Sequence, residues 1–118
     1  MAEAALCSFW GTAIPGREKQ AFDSFNETMQ YWAGLQQEGK IERLDVTVLA
    51  PSGGEVSGFF VVRGTAEQID SVRRSEEYLQ RVVRAALLVS HLSVVDAYVD
   101  EGLTQVMSQY QEVLEQVG

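Results

Sequence analysis

The sequence predicts an α+β fold in one domain, with the element order β-α-β-β-α-β followed by a C-terminal helix. The chain has 118 residues, of which 46% are hydrophobic and 22% charged, a composition typical of a globular domain. Short β-compatible segments are interleaved with longer segments of helical period. Proline and glycine pairs, such as Pro15-Gly16, separate them.

The first half of the chain predicts a strand, a helix and a hairpin. Residues 6–14 are rich in β-compatible types, and apolar side chains recur at helical spacing over residues 17–38. Gly39 is expected to end this helix, because glycine accepts the left-handed conformation found at many helix C-termini. Residues 41–50 alternate with period two, and residues 56–64 resume a strand after a glycine-containing loop.

The second half predicts an interrupted helix, a strand and a terminal helix. Thr65 and Gln68 have the spacing of a capping box. The apolar stripe that follows is broken near residue 76, so we expect a kink or restart with Ser75 as a second N-cap. Residues 92–99 form the fourth predicted strand, and residues 103–117 carry an apolar stripe among glutamines. This stripe is expected to close one edge of the fold or to reach a second protomer.

Composition and charge argue against several function classes. The formal net charge is −8, which disfavours nucleic acid and anionic membrane surfaces as partners. No apolar run reaches membrane-span length, and the N-terminus lacks the basic start of a secretory signal, so we expect a cytoplasmic protein. The single cysteine, Cys7, excludes an internal disulfide, and no spacing indicates a metal site. We expect no metal and no cofactor.

Right-handed crossovers place both helices on one face of such a sheet and leave the other face bare. Strand alternation assigns to the helix side Cys7, Phe9, Gly11, Ala13, Leu44, Val46, Val48, Gly58, Phe60, Val62, Val95, Ala97 and Val99. It assigns to the bare side Ser8, Trp10, Thr12, Ile14, Arg43, Asp45, Thr47, Leu49, Phe59, Val61, Arg63, Val94, Asp96 and Tyr98. An exposed apolar patch of this size is unusual for a monomer, so a second copy is expected to cover it, related by a two-fold axis.

The element order, the length and the aromatic second face resemble the dimeric α/β-barrel group of ferredoxin-like folds. The group includes antibiotic-biosynthesis monooxygenases, haem-degrading monooxygenases, muconolactone isomerase-like enzymes and stress-responsive barrel proteins. The resemblance implies a four-stranded antiparallel sheet that pairs with a second copy as a barrel. It also implies a ligand pocket in each protomer. Haem-degrading relatives use a histidine on a helix, a placement that His91, between a helix and a strand, does not match.

Residues of the predicted bare side are the candidates for a site. Trp10 and Tyr98 could stack on a flat ligand, beside Phe59 and Asp96, while Arg63 could hold an anionic group. The charged residues among them could equally form salt bridges across a dimer interface. The leading hypothesis is a homodimer that binds a small apolar or aromatic molecule, neutral or anionic, at this face.

An enzyme is the alternative, either a cofactor-independent monooxygenase or an isomerase or cyclase. Its proton-transfer candidates are Tyr98, Asp96 and the only histidine, His91. A structural or interaction protein without a ligand is the second alternative. Cys7 is interpreted as a small packing residue rather than a reactive thiol. The basic residues Arg73, Arg74, Arg81 and Arg84 are interpreted as a solvated helix face, with Arg81 paired to Glu77 four residues earlier.

Overall fold

The fold is described from a computed structural model, which covers residues 2–118. Its elements in chain order are β1 (Ala4–Trp10), α1 (Glu18–Gln37), β2 (Arg43–Val48), β3 (Gly58–Gly64), α2 (Ala66–Arg73), α3 (Glu76–Ala86), β4 (Ser93–Tyr98) and α4 (Asp100–Val117). The strands form one antiparallel sheet in the order β2-β3-β1-β4. The α+β architecture and the element order predicted from the sequence are confirmed.

The local signals at the helix ends are also confirmed. The Thr65 hydroxyl accepts from the Gln68 backbone N–H at 3.1 Å, and the Gln68 side chain accepts from the Thr65 N–H at 2.8 Å. Ser75 caps the restarted helix by accepting from the Tyr78 N–H at 3.2 Å. Gly39, with a φ of 76°, follows the end of α1. These features depend on residues close in sequence, which explains why the sequence predicts them.

Residues 11–14 do not extend β1 as expected. They turn away from the sheet and hydrogen bond with the segment after α3, where the Gly11 N–H donates to the Ser90 carbonyl at 2.7 Å. A Cβ on Gly11 would lie 2.6 Å from Ser90 Oγ and 2.7 Å from the Glu55 carbonyl oxygen, so only glycine fits this crossing of chain segments. The crossing closes the end of the sheet near Trp10.

The helix face of the sheet, which α1, α2 and α3 cover, carries the core. Leu6, Phe60 and Val62 of the sheet are buried against Trp32, Ile69, Val72 and Tyr78 of the helices. Directly paired residues of an antiparallel sheet share a face. Leu6 pairs with Val62 and Asp96, Trp10 pairs with Gly58, and Ala4 pairs with Tyr98. Trp10, Asp96 and Tyr98 therefore belong to the helix face.

The face assignment from the sequence is thus wrong for β1 and β4 and right for the strand residues of β2 and β3. The other side, called the open face below, carries Ala5, Cys7, Phe9, Arg43, Asp45, Thr47, Phe59, Val61, Arg63, Ser93, Val95 and Ala97. Both alternating sets of β1 are apolar, so hydrophobicity alone does not orient it. In β4, Asp96 lies on the helix side, where it is largely exposed and pairs with Arg73 of α2 at 3.0 Å.

The terminal helix α4 lies mostly outside the core. Its neighbour is the edge strand β4, and among its residues only Gly102 is buried. Of its apolar stripe, Leu103 is 49%, Tyr110 61% and Val117 82% exposed. The radius of gyration, 16.2 Å, exceeds the roughly 13 to 14 Å of a compact chain of this length. Closure of the fold by this stripe within its own protomer is therefore wrong.

Candidate functional site

A cavity of about 410 Å³ lies between the sheet and the helices α1 and α3, and we call it the aromatic cavity. It falls in the size range of small-molecule pockets. Its lining includes residues of β1, β3 and β4 on the sheet side and residues of α1, α3 and the 88–92 segment on the other. The cavity lies on the helix face and not on the open face, where the sequence placed a site.

Aromatic rings form a continuous wall of this cavity. Phe25, Trp10, Phe60, Trp32 and Tyr78 follow one another with ring centroids 5.6 to 5.9 Å apart. Such distances are typical of favourable edge-to-face and tilted ring contacts. The wall depends on Gly58, because a Cβ at that position would lie 2.5 Å from the Trp10 indole. The cavity is therefore shaped for an apolar molecule with flat surfaces.

A few polar groups interrupt this apolar lining. Ser8 is buried at the sheet side, and Glu18 lies at the start of α1, where its Oε1 accepts from the Gly16 N–H at 2.9 Å. Arg81 of α3 stacks over the Tyr31 ring, with its guanidinium carbon 4.6 Å from the ring centroid. A small number of polar groups in an apolar cavity is the usual arrangement of a small-molecule site.

Burial changes the ionisation of the cavity tyrosines. It raises the pKa of Tyr78 to about 12, and it raises the pKa of Tyr31 as well. The cause is the same for both, since burial penalises the phenolate more than the neutral phenol. Both hydroxyls are therefore protonated at neutral pH and can donate hydrogen bonds.

The site residues expected from the sequence do not come together. Trp10 lines the aromatic cavity, but Phe59 and Arg63 lie on the open face. Asp96 is ion-paired with Arg73, and Tyr98 is 63% exposed near the end of β4. His91 is an exposed loop residue with a φ of 53°. Asp96, Tyr98 and His91 are absent from the lining of the cavity, so the expectation that one face unites these residues is wrong.

The open face instead carries a charge cluster within an apolar surface. Asp45 lies 3.1 Å from Arg43 and 3.3 Å from Arg63, and Arg63 also approaches Asp100 at 3.8 Å. Cys7 belongs to this face rather than to the helix side, and burial raises the pKa of its thiol, which keeps it protonated. Arg43, Asp45 and Arg63 thus bridge one another within the protomer.

Sequence reasoning missed the cavity residues Trp32, Tyr78 and Arg81. All three belong to helical stripes in the sequence. Trp32 and Tyr78 were interpreted as core residues, and Arg81 was interpreted as a solvated partner of Glu77. The Arg81–Glu77 pair does form, at 3.5 Å, yet the Arg81 side chain is only 23% exposed. Each of these side chains carries a hydrogen-bonding atom, and its position in an apolar helical stripe places that atom in the interior. This combination was the signal that could have indicated a binding site.

The described residues 2–118 contain no cluster of three or more histidine, cysteine or acidic side chains that could hold a metal ion. In the same range, no helix is both long and apolar enough to cross a membrane.

No protein-family model matches the chain, and no curated protein matches it. Solved structures do resemble it. A dimeric ferredoxin-like protein of unknown function from Jannaschia sp. CCS1 superposes with a TM-score of 0.63 at 13% identity, over 81% of this chain and 99% of that one. The fold is ferredoxin-like. A second dimeric ferredoxin-like protein of unknown function, from Bacteroides fragilis NCTC 9343, has a TM-score of 0.61 at 9% identity, over 82% of this chain and 96% of that one.

SnoaB, a cofactor-independent oxygenase from Streptomyces nogalater, is also similar. Its TM-score is 0.53 at 11% identity, over 85% of this chain and 93% of that one. At these identities the likeness concerns the fold, since one fold can serve many functions. The ferredoxin-like expectation from the sequence is thereby confirmed.

Proposed function

We propose that the protein is a homodimer in which each protomer binds a small apolar or aromatic molecule in the aromatic cavity. The observation that carries the binding proposal is the cavity itself, a space of about 410 Å³ walled by aromatic rings on the helix face. Mostly apolar clefts of this volume with a few polar groups are the usual form of small-molecule sites.

The open face supports the dimer. Its apolar members, Ala5, Cys7, Phe9, Phe59, Val61, Val95 and Ala97, form a continuous strip over β3, β1 and β4. The helices α1, α2 and α3 cover the opposite side. The same strip on a second protomer, related by a two-fold axis, can cover this strip. Two of the similar solved structures are dimeric proteins. Because the cavity and the strip occupy different faces, dimer formation leaves the cavity free.

A variant that fills the cavity tests the binding proposal. Ala85 lines the cavity, whereas its neighbour Ala86 is exposed on the same helix. Phenylalanine at position 85 occupies the space that a ligand would use, so Ala85→Phe should abolish binding of 8-anilinonaphthalene-1-sulfonate, measured by fluorescence titration. Ala86→Phe is the matched control and should bind as the wild type does. Equal binding by both variants, or no binding by the wild type, would contradict the proposal.

A cofactor-independent oxygenase is the second candidate function. It is favoured by Glu18, an acidic side chain in the lining of the aromatic cavity. Such a carboxylate can take a proton from a bound C–H acid, and the resulting carbanion can transfer electrons to dioxygen without a cofactor. An isomerase or cyclase would use the same base without dioxygen.

Oxygen consumption with an acidic C–H substrate such as an anthrone, measured with an oxygen electrode, tests this candidate. Activity in the wild type that falls by roughly a hundredfold or more in Glu18→Gln would support it. Glu27, which lies outside the cavity lining, provides the control variant Glu27→Gln. Equal rates in the wild type and Glu18→Gln would reject Glu18 as the base.

A further inference from the structure

Three hydrogen-bond donors are buried without a partner, and all three belong to the lining of the aromatic cavity. Within residues 2–118, the buried side-chain nitrogen and oxygen atoms that lack a hydrogen bond are Trp32 Nε1, the Tyr78 hydroxyl and Arg81 Nε. Trp32 is 1% exposed and Tyr78 is 6% exposed, so bulk water does not satisfy them. The buried side-chain atoms of residues 2–118 that lack a hydrogen bond are therefore concentrated in one cluster, in the lining of the aromatic cavity.

Such an arrangement destabilises a protein that holds no ligand. A buried donor without an acceptor loses its hydrogen bonds to water and gains nothing in return. Native structures contain few such groups, and each one calls for an explanation. At positions 32 and 78 a phenylalanine would supply most of the same apolar contact without the unpaired atom. The retained polar atoms point to a binding role.

The three groups also agree in chemistry. The indole N–H and the guanidinium N–H are donors only, because neither carries an acceptor lone pair. The Tyr78 hydroxyl remains protonated at neutral pH and is free to donate. The adjacent Trp32 and Tyr78 rings lie 5.8 Å apart, and Arg81 stacks on Tyr31, which in turn packs on Trp32 with centroids 5.0 Å apart. The donors thus belong to one cluster of neighbouring side chains.

We infer that the aromatic cavity selects flat aromatic molecules that carry an oxygen acceptor, which accepts hydrogen bonds from Trp32, Tyr78 and Arg81. The acceptor is a carbonyl, carboxylate or phenolate oxygen, and the ring system lies along the Phe25–Trp10–Phe60 wall. This inference rests on the proposed function and goes beyond it by naming the group that the site recognises. Rotamer changes of the kind common on ligand binding give the acceptor access to the donors.

Naphthalene derivatives that differ only in one substituent provide the probes. 2-Naphthoate and 2-acetylnaphthalene present oxygen acceptors, whereas 2-naphthylmethylammonium presents only donors. Calorimetric titration at pH 7 should give 2-naphthoate and 2-acetylnaphthalene at least about tenfold higher affinity than the ammonium compound. For 2-naphthoate, this preference would run against the protein's net charge of −8, which favours the cation. General electrostatic attraction therefore cannot mimic the expected result.

Tyr78 and Tyr98 form a matched pair of variants. Tyr78 carries an unpartnered hydroxyl in the lining of the aromatic cavity, whereas Tyr98 is 63% exposed and lies outside that lining. Tyr78→Phe should weaken 2-naphthoate binding about tenfold or more, and it should leave the melting temperature of the ligand-free protein unchanged or raised. Tyr98→Phe should leave both the affinity and the melting temperature close to the wild-type values. Trp32→Phe is expected to resemble Tyr78→Phe in its effect on affinity.

The outcomes separate this inference from the proposed function. Equal affinity for the acceptor and ammonium probes, with binding lost in Ala85→Phe, would overturn acceptor selection and leave the cavity as a binding site. A Tyr78→Phe variant that binds 2-naphthoate as the wild type does would also overturn the inference. Failure of every probe to bind the wild-type protein would reject the proposed function together with it.

Discussion

On the helix face of the sheet, Leu6, Phe60 and Val62 are enclosed by side chains of the same chain, whereas on the open face Phe59 and Val61 have no such helix layer above them. The helix face contains a cavity and the three unpaired donors beside it. The open face contains an apolar strip whose ionic groups already pair with one another. We propose that the first face binds a small molecule and that the second face binds a protein surface. Each can be tested without disturbing the other.

The largest expected effect is at the open face. Val61→Asp places an unpaired carboxylate in the proposed interface, which should weaken dimer formation by about 3 to 5 kcal/mol. Sedimentation equilibrium should show a dimer for the wild type and a monomer for this variant at micromolar concentration. Leu79→Asp is the control, because Leu79 is 60% exposed on α3, away from the open face. A wild-type monomer, or a dimer that survives Val61→Asp, would contradict the proposed interface.

The next effect belongs to the helix face and depends on pH. Burial raises the Tyr78 pKa to about 12, above the value of about 10 for an unfolded chain. The folded state therefore holds the phenol proton more tightly than the unfolded chain does. The resulting contribution to the unfolding free energy is complete below pH 10 and is lost as pH rises through 12. It amounts to at most about 3 kcal/mol. The unfolding free energy of Tyr78→Phe should fall less between pH 9.5 and 11.5 than that of the wild type, and parallel profiles would contradict this account.

A smaller effect is expected at α4, whose apolar stripe is uncovered in the protomer. The helix starts beside the open face, since Asp100 approaches Arg63 of that face at 3.8 Å. We therefore propose that the stripe contacts the partner protomer. Tyr110→Glu should weaken the dimer about tenfold, or about 1.4 kcal/mol. It should leave the protomer folded, as judged by far-ultraviolet circular dichroism.

Gln111→Glu adds the same charge at the neighbouring exposed position and serves as the control for α4. It should leave the dimer dissociation constant unchanged. Equal weakening by both variants would indicate charge repulsion rather than loss of an apolar contact.

The smallest effect is local to the helix layer. Ser75→Ala removes the hydroxyl that accepts from the Tyr78 N–H, and it should lower the unfolding free energy by about 1 kcal/mol. Urea denaturation provides the measurement. Ser71→Ala, on the exposed side of α2, should change it by less than about 0.5 kcal/mol. Equal losses in both variants would argue against the cap.

The sequence predicted the features that depend on neighbouring residues. The capping box at Thr65, the restart at Ser75 and the stop at Gly39 are each set by a few consecutive side chains and backbone angles. The face assignment of β2 followed from period two, because its polar residues fall on alternate positions. These parts needed no knowledge of distant contacts.

The site could not be predicted in the same way. A one-residue error in the phase of a strand moves every side chain to the other face, and β1 is apolar on both faces, so its alternation could not prevent that error. In β4, Asp96 lies on the helix side yet is largely exposed beside Arg73, so the rule that the helix side of a strand is apolar fails at this position. The cavity itself results from how helices pack on the sheet, and Trp32 and Tyr78 are indistinguishable from core residues until that packing is known.

The stoichiometry of ligand binding in the monomeric variant tests most directly whether the two faces serve separate purposes. Calorimetric titration of 2-naphthoate should give one ligand per chain in the wild-type dimer, and the same stoichiometry with a similar dissociation constant in monomeric Val61→Asp. This is expected because the aromatic cavity lies on the helix face, opposite the proposed interface. Loss of binding on dissociation into folded monomers would place the site at the open face and contradict the account.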